Sequence, residues 1–514
     1  MLDKVNGMFA FAIYDPRDES LFCARDHIGI KPFYYTVRDG VFSFASEVKA
    51  LVRMFGGLES DPEAIADYIY LQYVMGKKTF FKDVFRLLPG ESLKITLTGN
   101  IITRKYWNLN PCETYEGSFE SASEELQAHL KRSINLQLRS DVPLGAHLSG
   151  GLDTGSVAGI AAEKISPEKL HTFTAAFEEG GVFDDTQMAS ISSRHISSEH
   201  HQIFPTWKDF EELYPKIIWH LDEPMAAEGV FPQYMVSKLA KENVTVVLGG
   251  QGADEIFGGY TRYYVLLLLQ ALRNGAEKGN EKLGLSWEEI GKSLGQLHNY
   301  GPMWKKVNSN TAFEAPETAY WRMIDRSENL KKTLEEDFIK SLGGYNPFDT
   351  YMEYVDKFEN AELLNRILFF ETSCWLPALL HIEDRMSMAV SLESRVPILD
   401  PLLIQFAFSL PSAIKMKDGR TKAIMRKAFS GYLAPEISSR RDKLGFPVPT
   451  SRWFAGPLSG FMKDILLSRN SLSRGIFKES ALRSATDPRG DFDRSAWGIL
   501  NLEMFHSNNL KPLN

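Results

Sequence analysis

One short unit constrains this chain more than any other: an apolar run, two glycines, an acidic residue and a helix-forming stretch, in "HLSGGLDTGSVAGI" at residues 147–160. Two glycines let the backbone approach a ligand closely, and the N–H groups of the turn and the first helical residues all point at one spot, which attracts an anion. The hydroxyls of Ser149, Thr154 and Ser156 add donors suited to phosphate oxygens. Asp153 repels a bare phosphate unless a divalent cation sits between them, so a nucleotide polyphosphate with magnesium satisfies the unit. A lone Gly-Gly turn is more simply a strand-to-helix connection with nothing bound. A second unit shifts that balance: "VTVVLGGQGADEIFGGY" closes another strand and carries Asp254 and Glu255. In an open parallel sheet, loops at the carboxyl ends of neighbouring strands face one crevice. Neither unit has the Gly-Lys-Ser/Thr ending of a Walker loop or the G-x-G-x-x-G of a dinucleotide turn.

The surrounding pattern alternates strand and helix: "LGAHL", "SVAGIAAEKI", "HTFTAAF", a polar helix, "HHQIF", two helices and "VTVVL". Such alternation predicts an α/β fold with a parallel sheet covered on both faces. Phe210, Leu213, Ile217 and Leu221 form one apolar stripe at helical spacing. Beyond Phe257 the chain reads as mainly helical. Up to residue 107 the texture is different, with short strands such as "GMFAFAIYD", "SLFCARD" and "GVFSFAS", and "SLKITLTGNIITRKYW" around a Gly-Asn turn. Residues 108–120, rich in Pro, Gly, Ser and acidic side chains, read as a linker, and a second domain occupies 121–514.

With 514 residues, 44% of them hydrophobic, the chain can bury more than one core. Its net charge of -8 and lack of a basic run weigh against nucleic acid as a partner. Cys23, Cys112 and Cys374 have no metal-ligand spacing and read as ordinary thiols of a reducing compartment. The apolar run "YYVLLLLQAL" at residues 263–272 is too short to span a bilayer, so the expectation is a cytoplasmic protein without membrane contact. The pair His200-His201 lacks zinc spacing and reads as structural.

Six segments together resemble the glutamine-dependent asparagine synthetase family: "LSGGLDTGS", "WHLDEPMA", "VVLGGQGADEIFGGY", "EDRMSMAVSLESRVPILD", "GRTKAIMRKAF" and "RRDKLGFPVP". The first domain is similar to the later part of that family's glutaminase domain, through "NGMFAFAIYD", "ARDHIGIKPFYY", "FASEVKAL" and "RLLPGESLKI". The resemblance implies a truncated Ntn-type glutaminase domain followed by an ATP pyrophosphatase-type (PP-loop) domain with a helical C-terminal part. It also implies a reaction in which a carboxylate attacks the α-phosphorus of ATP, pyrophosphate leaves, and ammonia converts the acyl-adenylate to an amide. By the same resemblance Ser149, Gly150, Gly151, Asp153 and Thr154 hold pyrophosphate, with Asp153 and Asp254 as magnesium ligands. Leu148, Ala175, Gly249 and Gly250 surround the rest of ATP. Lys443 stabilises the developing phosphate charge and Lys422 is a further cation, although either lysine taken alone reads as a solvated surface charge. Asp222-Glu223-Pro224 and residues 393–395 fit family motifs that a buried ion pair explains equally well. A homodimer is also expected from the family.

Three departures matter. Thr154 and Gly155 stand where the family has serines, which keeps a hydroxyl and a backbone donor. Gly249 replaces another serine, and Gln251 replaces a glutamate of asparagine-forming enzymes; an amide hydrogen-bonds but carries no charge. The glutaminase of the family begins with a cysteine directly after the initiator methionine, whereas residue 2 is Leu here, and the glutamine-binding loops that precede "NGMFAFAIYD" are not found. The expectation is therefore amidation of aspartate with free ammonia, glutaminase activity being lost. Two alternatives stay open: amidation of another carboxylate, such as a sugar acid of a surface polysaccharide, and an inactive chain that binds nucleotide.

Overall fold

The computed structural model describes residues 1–225, 227–278, 314–327, 330–440, 447–487 and 494–509. The first third is built from strands β1 (Ala10–Asp15), β2 (Ser20–Arg25), β3 (Tyr34–Arg38), β4 (Val41–Ala45), β5 (Val84–Arg86), β6 (Glu91–Thr96) and β7 (Ile101–Lys105). They form two antiparallel sheets in the orders β1-β2-β6-β7 and β4-β3-β5. Two short helices, Val48–Met54 and Pro62–Leu71, join β4 to β5; Asp61 caps the second by accepting from the Glu63 amide, with Pro62 in the first turn.

Residues 108–118 carry no regular structure, yet they are tied down: Leu109 is buried and the amides of Thr114 and Tyr115 donate to the Ser409 carbonyl. A helix begins at Phe119, two residues before 121, because the Ser118 side chain accepts from the Ser121 amide.

The remaining strands, β8 (Leu144–His147), β9 (His171–Ala175), β10 (Glu199–Ile203), β11 (Val246–Leu248) and β12 (Glu393–Arg395), make a parallel sheet in the order β10-β9-β8-β11-β12. The chain runs outward from β8 through β9 to β10, then returns to the other side of β8 as β11. The order reverses between β8 and β11, and in such sheets ligands sit outside the carboxyl ends of the strands at that point. The glycine turns follow these two strands.

β12 was not foreseen. Residues 393–395 are three polar side chains, too short for any periodicity, and form a strand because Val246, Val247 and Leu248 pair with them. Nor do Glu393 and Arg395 make a buried ion pair: they meet at 2.6 Å with the Glu393 side chain 42% exposed, while Arg395 also donates to the carbonyls of Gln137 and Arg139.

Residues 263–269, all buried, lie in the helix Thr261–Lys278. Among the described residues one helix, Leu363–Met388, is long and apolar enough to cross a membrane, and it is mostly buried inside the protein. It includes a π-helical turn at Glu371–Trp375. All three cysteines are free thiols.

Candidate functional site

The first turn leaves β8 through Leu148, whose amide donates to the Phe173 carbonyl and whose own carbonyl accepts from the Thr174 hydroxyl of β9. Ala175, the last residue of β9, stands buried alongside. Gly150 has φ +66 and its backbone touches that of residues 188 and 189, with a Cβ there falling 2.5 Å from the Ala189 amide nitrogen. Gly151 then caps the helix Leu152–Ile165, which carries Asp153 and Thr154 in its first turn. The Thr154 hydroxyl accepts from the Ser149 amide at 3.1 Å and lies 3.1 Å from the Ser149 hydroxyl, so the turn is cross-braced internally. Ser156 does not join this group. It is fully buried and its hydroxyl donates to the Leu152 carbonyl at 2.7 Å, the usual back-bond of a mid-helix serine.

The second turn meets the first. Gly249 donates to the Arg395 carbonyl of β12 at 2.7 Å, and at Gly250 a Cβ would come within 2.8 Å of the Thr154 amide nitrogen. Only a glycine lets the two loops approach this closely. The short helix Ala253–Phe257 follows, carrying Asp254 and Glu255. Glu255 is buried and accepts from the Tyr260 hydroxyl at 2.5 Å; burial, then the neighbouring Asp254, push its carboxyl up to about 7.

Lys422 joins the two acidic residues. Its Nζ lies 2.7 and 2.8 Å from the two carboxylate oxygens of Asp153 and 2.5 Å from Oδ1 of Asp254. The lysine is 5% exposed, so burial alone would depress its ammonium; the two carboxylates outweigh burial and hold it above its usual range. Lys422 is thus a buried ammonium whose charge is set against two carboxylates. Lys443 lies outside the described residues. Arg440, at the start of the same segment, donates to Asp185 at 2.6 Å and lies 3.5 Å from the Gly150 carbonyl, a cation beside the first turn that the sequence reading did not single out.

Gln251 is turned toward a different carboxylate. Its Nε2 donates to Glu383 at 3.3 Å, while the other oxygen of Glu383 accepts from the Ser394 hydroxyl at 2.6 Å and faces His147 Nδ1 at 3.6 Å. Glu383 is 3% exposed and sits between the ends of β8, β11 and β12. Burial lowers the His147 imidazole, and its Nε2 has no hydrogen-bond partner among the described residues. Sequence reasoning placed Glu383 in a matched segment without giving it a role; its separation of 132 residues from Gln251 hides the contact.

Asp222 and Glu223 prove to be docking residues for the first domain. Asp222 pairs with Lys49 at 2.9 Å, and Glu223 takes a two-pronged bond from Arg86 at 2.9 and 3.0 Å.

An antiparallel β-rich domain clamped by ion pairs to a parallel-sheet domain, with glycine turns, carboxylates and a lysine at the switch point, defines a two-domain enzyme of the amidotransferase and ligase kind. Residues 1–107 match the glutamine amidotransferase domain and residues 125–507 match asparagine synthase. The chain belongs to the asparagine synthase family. It is 32% identical to asparagine synthetase [glutamine-hydrolyzing] 1 of Bacillus subtilis (strain 168), over 99% of this chain and 78% of that protein. It is also 32% identical to a putative asparagine synthetase of Mycobacterium tuberculosis (strain ATCC 25618 / H37Rv), over 89% of this chain and 69% of that one. A more distant relative, amidase chyE of Penicillium rubens, is 26% identical over 95% of this chain and 76% of its own length.

Proposed function

We propose that the chain is an ATP-dependent amide ligase that activates a carboxylate as an acyl-adenylate, releases pyrophosphate and forms an amide with ammonia, aspartate being the acceptor. The observation that carries this reading is the convergence of Asp153, Asp254 and Lys422 beside two touching glycine turns. Attack of one anion on another requires charge to be cancelled at the phosphates, and a buried lysine with backbone donors supplies part of it.

The donor set fits magnesium, which takes oxygen ligands: Asp153 and Asp254 present their carboxylate oxygens to one point, now held by the Lys422 ammonium. Asp153 and Asp254 would hold the ion, and its chemistry there is to offset the charge of the polyphosphate. With the ion held there, the Lys422 ammonium would be available to offset phosphate charge. Leu148, Ala175, Gly249 and Gly250 line the approach for the nucleoside, and Ser149, Gly150, Gly151 and Thr154 hold the departing pyrophosphate. We assign Lys443 to the same phosphates.

We take free ammonia as the nitrogen donor of this reading. Cys23 lies fully buried on β2 with its thiol pushed up to about 12 by burial, and burial raises Cys374 as well, so neither is a ready nucleophile. With three free thiols and a mostly buried apolar helix, we place the protein in the cytoplasm, as a homodimer in keeping with the family resemblance.

The test is pyrophosphate release with ATP, magnesium, ammonium and aspartate. Release that depends on aspartate and ammonium, with asparagine as product, is expected; no aspartate-dependent release would overturn the acceptor assignment. One observation favours a second acceptor: Gln251 is neutral and its amide is committed to Glu383, which suits a carboxylate other than aspartate, such as a sugar acid. Faster release with a uronic acid than with aspartate would decide for it.

A further inference from the structure

Away from the glycine turns, the opposite end of the parallel sheet holds a second cluster. The pairing of β10 with β9 sets Glu199 opposite His171 and His201 opposite Phe173, so all four side chains stand on one face. Their ligand atoms converge. His171 Nδ1 is 3.1 Å from His201 Nε2, and Glu199 Oε1 is 3.6 Å from the latter and 3.9 Å from the former. The point equidistant from these three atoms lies about 2.1 Å from each, the length of a zinc bond to imidazole or carboxylate.

We propose that His171, Glu199 and His201 form a binding site for a divalent transition metal ion, Zn2+, that ties the edge strand β10 to β9. Two imidazoles and one carboxylate are a donor set that suits zinc, and three protein ligands leave a position for water. In the metal-free chain the two nitrogens face each other as an N–H···N hydrogen bond. Zinc would sit off the line between the two nitrogens, on the Glu199 side: the proton leaves the bridging nitrogen and is carried on the other nitrogen of its ring, both rings turn to aim their lone pairs at the ion, and the Glu199 charge offsets it. The site is pre-arranged, since strand pairing fixes the backbones and the Phe173 ring stacks on His201 at 5.2 Å between centroids. It is also reachable, because the Glu199 side chain is 55% exposed. The sequence rule that set aside His200-His201 looks for ligands at close spacing. Here the second imidazole arrives from a neighbouring strand 30 residues away, and His200 faces the other way, toward Thr172.

The whole chain, stripped with chelator and desalted, is titrated with Zn2+ by calorimetry and with Co2+ by visible absorption. One ion per chain is expected, with a Co2+ spectrum of low coordination number, a raised melting temperature in Zn2+ and no competition from excess Mg2+. His201→Asn should abolish this binding, and Glu199→Gln, on an exposed side chain, should weaken it about tenfold while leaving pyrophosphate release unchanged. Should the His201 variant fail to fold, Glu199→Gln and His171→Asn decide. No stoichiometric Zn2+, or equal affinity in wild type and these variants, would overturn the proposal and leave the cluster a hydrogen-bonded pair.

Discussion

At Lys422 two effects oppose each other: burial disfavours the ammonium, and Asp153 and Asp254 favour it. The carboxylates win, so removing the lysine takes away the cation that both acidic groups share. Lys422→Met is expected to cost about 3 kcal/mol of stability at neutral pH, read from urea denaturation, and to lower pyrophosphate release at least about a hundredfold. The pH dependence has a defined sign. The folded-state pKa is raised above the ordinary 10.5, so the lysine's contribution is complete below that value and disappears as pH climbs through the higher folded value. The stability gap between wild type and Lys422→Met should therefore hold steady from pH 7 to pH 9 and shrink at higher alkalinity. From sequence, Lys422 could be placed in a matched segment, but its position between two carboxylates could not be derived, since Asp153 lies 269 residues away.

The elements differ in how far local chemistry explains them. The helix Trp207–Leu221 is written in its own residues: Phe210, Ile217 and Leu221 are buried, Leu213 is partly so, and Thr206 with Asp209 forms a reciprocal cap. Thr206→Ala should cost about 1 kcal/mol by urea denaturation without changing the slope of the transition. The helix Arg494–Asn509 buries His506, whose ring nitrogens have no hydrogen-bond partner among the described residues. Burial, and then the charge of Arg474, bring that imidazole down to about 3. The folded chain therefore keeps it neutral where the unfolded chain takes a proton, so stability is complete above pH 6.5 and falls as pH drops toward 3. His506→Leu should be less acid-sensitive than wild type, by on the order of a few kcal/mol between pH 6.5 and pH 4, in denaturation series at each pH. β12 shows the limit of local reading. Glu393, Ser394 and Arg395 carry no strand pattern, and their conformation comes from the open edge of β11.

For the whole molecule the decisive contacts cross between the β-rich domain and the α/β domain. Arg86 with Glu223 and Lys49 with Asp222 join them, Lys31 reaches Asp384 at 2.6 Å, and one hydrophobic core runs from Ile28 and Tyr68 through Phe210 to Phe505. A continuous core argues for unfolding as one unit, so calorimetry should record a single transition. Arg86→Met leaves Glu223, 2% exposed, without its cation, and should lower stability by about 3–5 kcal/mol and the melting temperature with it. The strand-helix alternation from β8 to β11, the apolar stripe of residues 210–221 and the two glycine turns were legible in the sequence, because each rests on backbone conformation or periodicity within a few neighbouring residues. What tertiary structure alone decided is which distant groups share a space: Lys422 between Asp153 and Asp254, Gln251 on Glu383, His171 against His201. These are set by strand order and register, which depend on packing the whole chain, and no local spacing encodes them.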